Sequence, residues 1–276
     1  MRFTKMQGIG NDYIYVDLFH EHVADPSDLS KHISDRHFGI GSDGLVLIGP
    51  SEKADLRMQM FNSDGSEGKM CGNACRCIGR YAYERGLVAR DEFTLETGSG
   101  IRTVHLKIDQ GKVSSARVDM GIPLFKPEEI PTTLTNPQEA EVTVDGQKWH
   151  VTCLSMGNPH CVTFVSDPNT LHLPSIGPVF EHLAVFPEGV NTEFVSILQD
   201  GTLWLRVWER GSGETMACGT GACAALVASA IQGKSPRKNT VHLRGGDLKI
   251  EWRPDGHVLQ EGPAEFICDG NWPENT

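Results

Sequence analysis

Two short stretches decide how this chain folds: Glu67-Gly68-Lys69-Met70-Cys71-Gly72-Asn73 and Glu214-Thr215-Met216-Ala217-Cys218-Gly219-Thr220. Each begins with a glutamate, reaches a cysteine four residues later and runs straight into Gly and an apolar, helix-like segment. The two cysteines stand 147 residues apart, and so do the two glutamates. The same spacing relates Gly10-Asn11 to Gly157-Asn158, and residues 59–62 to 206–209. Gly44 falls on Asn191. Turn glycines would explain one such coincidence, but they do not explain matched Cys and Asn. Two copies of one fold explain all of them.

Around these landmarks both halves run strands, helix, strands, helix, strands. Apolar–polar alternation predicts strands over 13–18, 45–49, 56–61, 92–97, 101–108 and 113–119, with Asp109-Gln110-Gly111 as a turn. Pro26 to Asp35, behind an Asp25 or Ser27 cap, predicts a helix, and 74–85 predicts a second one closed by Gly86. In the second half strands are expected at 141–144, 147–154, 161–165, 193–198, 203–208, 240–244, 247–252 and 265–268. Asp145-Gly146 reads as a type I′ turn, and helices are expected near 174–183 and over 220–232. Residues 121–138, with Pro123, Pro127, Pro131 and Pro137, read as the linker.

The chain has 276 residues, with 25 Lys and Arg against 36 Asp and Glu. A net charge of −11 repels a polyphosphate backbone, so nucleic acid is not an expected partner. The first residues hold no apolar h-region and no apolar run approaches the ~20 residues of a membrane span, so a cytoplasmic, soluble protein without membrane contact is expected. Its eight cysteines are then expected to be reduced. The Cys71, Cys75, Cys77 cluster matches no zinc or iron–sulfur spacing, so no metal is expected. No lysine lies in a motif suggesting a Schiff base, and no cofactor is expected.

The chemistry concentrates at the two helix starts. A thiol there feels the helix dipole and unpaired backbone N–H groups, both of which favour the thiolate. Asn73 and Thr220 read as the capping residues. Two such thiols on opposite faces of one carbon would act as base and acid and invert a stereocentre. Cys75, Cys77, Cys153, Cys161, Cys223 and Cys268 read as buried structural thiols. Asn11, Asn62, Asn158 and Asn191 suit a zwitterionic ligand, because an amide both donates and accepts. Arg210 suits a carboxylate, and His160 and Glu209 are candidates for tuning the thiols.

The runs Met6–Asp12, Phe61–Glu67, Met70–Asn73, Ser155–His160, Val190–Phe194 and Glu209–Thr215, the last continuing through Ala217–Ala222, resemble diaminopimelate epimerase. The resemblance extends from the N-terminus to about residue 223. It implies an α+β fold of two similar domains related by a pseudo-twofold axis, each a curled, barrel-like, mostly antiparallel sheet around a central helix. The first would span 1–120, joined by a C-terminal strand at 263–276; the second would span 121–262, with the site between them. The implied activity is interconversion of LL- and meso-2,6-diaminopimelate, a step toward lysine and cell-wall precursors, without pyridoxal phosphate or metal. A homodimer is among the expected assemblies.

In that family the first cysteine is assigned as proton donor and the second as acceptor for the LL substrate, roles that fall on Cys71 and Cys218. Side-chain contacts to substrate carry over to Asn11, Asn62, Asn158, Asn191, Glu209 and Arg210. Backbone contacts carry over to Gly72, Asn73, Gly219 and Thr220, and the pair supporting activity is His160 and Glu209. Two departures stand out. Gly44 replaces a Gln found in some members, and Ala74 replaces the usual Gly, followed by Cys75 one turn from Cys71, where oxidation could form a disulfide. Proline racemase and hydroxyproline epimerase share the architecture and a cysteine pair, but the Glu209–Thr215 run favours diaminopimelate. A non-catalytic amino-acid binder would need neither thiol.

Overall fold

The computed structural model describes residues 1–273 and divides them into two units, Met1–Asp119 with the segment from Glu261 onward, and Met120–Gln260. The first unit runs β1 (Arg2–Gly8), β2 (Asn11–Asp17), α1 (Pro26–Ser34), β3 (Gly44–Gly49), β4 (Leu56–Asn62), β5 (Glu67–Gly68), α2 (Gly72–Glu84), β6 (Glu92–Thr97), β7 (Gly100–Asp109) and β8 (Lys112–Asp119). The second runs β9 (Ala140–Val144), β10 (Gln147–Ser155), β11 (Pro159–Phe164), α3 (Leu173–Glu181), β12 (Asn191–Ile197), β13 (Leu203–Glu209) and β14 (Gly213–Glu214). It continues through α4 (Gly219–Ile231), β15 (Lys238–Leu243), β16 (Gly246–Trp252) and the start of β17 (Val258–Gly262), whose last two residues fall in the first unit. The last strand, β18 (Glu265–Asn271), pairs antiparallel with β1 and so completes the first unit.

The duplication is written into the strand registers. In the first unit β2 pairs parallel with β3, placing Ile14 opposite Leu45; in the second β11 pairs parallel with β12, placing Cys161 opposite Thr192. Leu45 then faces Phe61 across β3 and β4, as Thr192 faces Trp208 across β12 and β13. Each of these positions is 147 residues from its counterpart, and α1 with α3, and α2 with α4, begin and end at that same spacing. The match slips by one residue only outside this block. Gly8 lies opposite Asn11 in the first hairpin but Ser155 opposite Pro159 in the second, whose turn holds one residue more. The sheets are mostly antiparallel, as expected, with two parallel pairs in each unit.

Each sheet curls around its own central helix. Helix α4 is apolar all round and buried along nearly its whole length, which a helix tolerates only when protein surrounds it. Strands β10, β11, β12, β13, β15 and β16 all pack against it, so the sheet wraps it rather than lying flat. Helix α2 packs against β1, β7 and β8 in the same way. The shorter helices cover the opposite face of each sheet. Ile33 of α1 joins Ile14, Val16, Leu45 and Leu47, and Phe180 of α3 packs edge-on against Phe194 at 5.3 Å between ring centres.

The proline-bearing segment 121–138 is not a linker. Ile130 is fully buried in the core of the second unit and Pro137 is also buried, with short 3₁₀ turns at Pro127–Glu129 and Pro137–Glu139. Its prolines end regular structure without freeing the chain, because Ile130 still supplies an apolar anchor.

Candidate active site

At the first helix start, β5 pairs with β4, Glu67 opposite Phe61, and delivers the chain to Cys71. Cys71 is itself the N-cap of α2, with extended backbone (φ −137°, ψ 120°), and its thiol makes no capping bond to the helix. Asn73, read from sequence as the cap, lies inside the helix. The Cys71 thiol instead donates to Asn11 Oδ1 at 3.4 Å, an oxygen that also accepts from Asn73 Nδ2 at 3.3 Å. Ile9 and Gly10, both at positive φ (52° and 86°), turn the chain between β1 and β2 so that Asn11 opens the second strand. Asn11 Nδ2 donates to Asp43 Oδ2 at 2.7 Å. Arg36 donates to both Asp12 and Asp43 at 2.9 Å, and Lys5 pairs with Asp12 at 2.9 Å.

Asn73 is held from behind. Arg76, fully buried, donates to Asn73 Oδ1 at 2.9 Å and to the Pro263 carbonyl at 3.2 Å. Burial lowers the pKa of this guanidinium, yet its hydrogen bonds give the charge partners in the interior. Asn62, exposed at the end of β4, donates to Ser66 Oγ at 2.9 Å.

At the second helix start Cys218 is the N-cap of α4, again with Thr220 inside the helix rather than capping it. Here the sulfur does cap: Gly221 N–H donates to Cys218 Sγ at 3.3 Å, and Thr220 Oγ1 lies 3.5 Å from it. A chain of contacts leads away from that hydroxyl. Asn158 Nδ2 donates to Thr220 Oγ1 at 3.3 Å, His160 Nε2 donates to Asn158 Oδ1 at 3.0 Å, and His160 Nδ1 lies 2.7 Å from Glu193 Oε1. His160 and Glu193 are both fully buried. Burial pushes the Glu193 carboxyl up while His160 pulls it back down.

The expectation that the helix start favours a thiolate fails at Cys218. Burial, followed by the charges of Glu209 and Glu193, raises its pKa well above that of an ordinary thiol. The bonds from Thr220 and Gly221 act the other way but do not win. Burial and two carboxylates outweigh the hydrogen bonds at the helix start and favour the thiol at Cys218.

The remaining candidates divide. Glu209 accepts from Thr215 Oγ1, close to the chain entering Cys218. Asn191 is buried and already committed to backbone, donating to the Pro159 carbonyl at 2.9 Å and accepting from Arg210 N–H at 2.9 Å. Its side chain therefore fixes the loop carrying Arg210, whose guanidinium is exposed and donates to the Glu188 carbonyl at 2.9 Å. A Gln at position 44 would not fit, since a Cβ on Gly44 would lie 2.1 Å from the Phe61 carbonyl oxygen.

Among the other thiols, Cys75 and Cys77 are fully buried and pushed up to about 12 and about 11, which keeps them protonated and unreactive. Cys153 and Cys161 face each other across β10 and β11, and Cys223 is buried in α4. Cys268 differs from its expected burial: it is exposed on β18. Among the described residues no group of His, Cys, Asp and Glu is arranged to hold a metal, and no helix is long and apolar enough to cross a membrane.

Three residues that position the site were not singled out in the sequence: Asp43, Arg76 and Glu193. Glu193 had a visible signal, a lone acidic residue inside the strand run Asn191–Ser196, every member of which is buried. Asp43 looks like a turn residue and Arg76 like a solvated helix position, so neither stood out.

The chain matches the family model described as diaminopimelate epimerase over residues 3–126 and 152–267. The diaminopimelate epimerase of Acetivibrio thermocellus is 54% identical over 273 residues, 98% of this chain and 98% of its own length. That of Methanococcus maripaludis strain S2 is 50% identical, over 98% of this chain and 99% of its own. Among solved structures, a probable proline racemase from Agrobacterium radiobacter K84 aligns with a TM-score of 0.75 at 14% identity, covering 99% of this chain and 93% of that one. At that identity the likeness concerns the fold alone.

Proposed function

The chain belongs to the diaminopimelate epimerase family, and on that premise we propose that it interconverts LL- and meso-2,6-diaminopimelate by proton transfer between two thiols. The reaction would serve lysine and cell-wall precursor synthesis in the cytoplasm. The observation that carries this reading is the recurrence of one arrangement: a cysteine at the N-cap position of a central helix, with a side-chain amide close by, at equivalent registers of two units.

With the LL isomer, Cys218 as thiolate takes the α-proton and Cys71 gives its own proton to the opposite face of the carbon. The C–H bond broken and the C–H bond formed share one carbon, and the product leaves Cys218 as thiol and Cys71 as thiolate. Exchange with solvent, or a turnover in reverse, resets the pair. Cys218 must first lose its proton, and the same Glu209 and Glu193 charges that hold the thiol would be offset by the substrate ammonium arriving nearby. Backbone N–H groups of Gly72, Asn73, Gly219 and Thr220, at the positive ends of two helices, suit the substrate carboxylate as negative charge spreads onto it. Arg210 adds a cation for a carboxylate, and Asn11, Asn62 and Asn158 supply donors and acceptors for a zwitterion. The reading calls for no cofactor.

The test is isotope exchange in deuterated water with LL-diaminopimelate and, separately, L-proline. Deuterium should enter the α-position of diaminopimelate, with inversion, and proline should remain unlabelled. Labelling of proline alone would overturn the substrate assignment, and no labelling of either would overturn the reaction.

A further inference from the structure

Asn11 and Asn158 occupy equivalent places in the two units, yet their amides are turned in opposite senses. In the first unit the carbonyl oxygen faces the cysteine, and Cys71 Sγ donates to it at 3.4 Å. In the second the amide nitrogen points toward the cysteine's surroundings, donating to Thr220 Oγ1 at 3.3 Å. That hydroxyl lies 3.5 Å from Cys218 Sγ, and Gly221 N–H donates to the same sulfur at 3.3 Å. Cys71 Sγ thus gives a hydrogen bond, whereas Cys218 Sγ receives one from Gly221 N–H and lies beside a hydroxyl with which either atom can donate.

The groups bonded to each amide set its sense; Asn73 Nδ2 already meets the Asn11 oxygen, and the group behind meets the nitrogen. An ionised carboxylate only accepts, so Asp43 must meet the Asn11 nitrogen, which it does at 2.7 Å. The same Asp43 oxygen accepts the Asp12 N–H at 3.1 Å, while Arg36 engages the other oxygen at 2.9 Å, so the carboxylate is fixed on both sides. Position 190, the counterpart of Asp43, is valine, and the Asn158 oxygen is taken instead by His160.

We propose that Asp43 is a positioning residue that holds the Asn11 amide with its oxygen toward Cys71 and thereby keeps Cys71 as the proton-loaded thiol. Reading that thiol as the acid of the epimerisation rests on the function proposed above; the control of Cys71 by Asp43 does not. Around this pair the charged and titratable groups are Asp12, Lys5 and Arg36 beside Asp43, and Cys75, Arg76, Cys77 and Tyr15 beside Cys71. Of these charged groups, Asp43 is the one that bonds the Asn11 amide, whose oxygen also accepts from the neutral Asn73 Nδ2.

The experiment measures alkylation of Cys71 by iodoacetamide against pH, with no substrate present and the modified peptide identified by mass spectrometry. Three proteins are compared: the parent, Asp43→Asn and Asp43→Ala. Asn retains an oxygen able to accept from Asn11 while losing the charge; Ala loses both and lets the amide turn its nitrogen to the sulfur. The midpoint of Cys71 alkylation should fall by about one pH unit in Asp43→Ala, the scale of one hydrogen bond made to the thiolate instead of accepted from the thiol, and by clearly less in Asp43→Asn. Equal shifts in both variants would mean charge alone acts and would overturn the proposal. A higher plateau rate at an unchanged midpoint would mean the site has merely loosened, and would overturn it too. So would no change in either variant. Because the readout is thiol acidity, it stands apart from the isotope-exchange test: failure of diaminopimelate turnover would leave this result intact, and the reverse.

Discussion

The two central helices start alike and diverge within one turn. Cys71-Gly72 opens α2 and Cys218-Gly219 opens α4, but Cys75, Arg76 and Cys77 in the first stand where the second has Ala222, Cys223 and Ala224. Beside the helices, Tyr13 and Val46 of the first unit correspond to His160 and Glu193 of the second. Ala74 corresponds to Gly221, where a Cβ would sit 2.7 Å from Glu193 Oε1 and 3.2 Å from Cys218 Sγ. The second unit has placed a carboxylate and an imidazole close to its thiol and kept a glycine to make room. The first has used that space for apolar and aromatic side chains and takes its polarity from Asp43. One backbone therefore carries two unlike thiols, and a handful of side chains makes the difference.

The largest effect should come from removing either thiol. Cys71→Ser and Cys218→Ser should each lower net epimerisation by roughly three orders of magnitude, within the range that general acid–base groups contribute. A serine hydroxyl is too weak an acid to supply the base at neutral pH, though it fills the same space. If the units are specialised, the two variants differ in what they keep. With β-halogenated analogues, Cys71→Ser should still eliminate halide from the isomer whose α-proton faces Cys218, and Cys218→Ser from the opposite isomer. Identical preferences in both variants would show that the two thiols do not serve separate faces.

Next in size is the buried pair found only in the second unit. Glu193→Val copies the residue at the equivalent position, 46, but strands His160 in a fully buried site. Removing one partner of a buried ion pair costs about 3–5 kcal/mol, whereas replacing both with apolar side chains is often nearly neutral. Urea unfolding should show a loss of about 3 kcal/mol for Glu193→Val and recovery of most of it in Glu193→Val/His160→Leu. Activity should fall in both, since Glu193→Val leaves the imidazole that holds Asn158 unsupported and the double variant removes it. A double variant as unstable as the single would show that the pair is not what stabilises this corner.

The difference between the units also explains what the sequence made legible. The 147-residue repeat was readable because the fold demands Gly and small residues at the same backbone positions twice, and Cys71 and Cys218 were readable because they mark those positions. Helix and strand bounds followed to within a few residues wherever alternation was regular. Strand β1 was not read, because Arg2–Gly8 pairs on both sides and carries both polar and apolar residues inward. The caps were misplaced by two residues, since cysteine is a rare cap and Asn73 and Thr220 look better suited. The ionisation of Cys218 could not be read at all. It depends on Glu193, a strand apart in sequence and adjacent only after folding, and on burial that local pattern does not report.

A smaller effect should appear at high pH and should belong to the first unit. Cys75 and Cys77 are held near 12 and 11 by burial, above the ordinary thiol value of 9.0, so the folded protein keeps protons that the unfolded chain releases. Their contribution to stability is complete below about pH 9 and is lost as pH rises toward their folded values. Once the unfolded thiols are ionised, each should cost about 1.4 kcal/mol per pH unit. Cys75→Ala/Cys77→Ala gives α2 the residues that α4 has at those positions. It should be somewhat less stable at pH 8, because two small cavities form, yet lose less stability than the parent between pH 8 and pH 10.5. Parallel loss in the two proteins, followed by urea midpoints, would show that these thiols do not carry the alkaline sensitivity.

The smallest effect concerns the caps themselves, and it sets the two cysteines against each other in stability rather than rate. A helix start leaves N–H groups that need an acceptor, and serine is among the better N-cap residues. Cys218 already serves that purpose, its sulfur accepting from Gly221 N–H at 3.3 Å. Cys71 does not: its thiol donates to Asn11 and makes no side-chain cap bond. Cys218→Ser should thus exchange one cap for another and change stability by only a few tenths of a kcal/mol. Cys71→Ser offers a hydroxyl, short enough to turn back onto the helix, at a position where the parent has no side-chain cap. It should stabilise the protein by about 1 kcal/mol, the usual worth of a serine cap over a residue that does not cap. Set beside the loss of turnover in the same variant, that gain would show a cysteine held for chemistry at some expense to its own helix. Urea unfolding of the two serine variants checks it directly. Equal stability changes in both, or a loss in Cys71→Ser, would mean that the Asn11 contact already does for α2 what a cap would do.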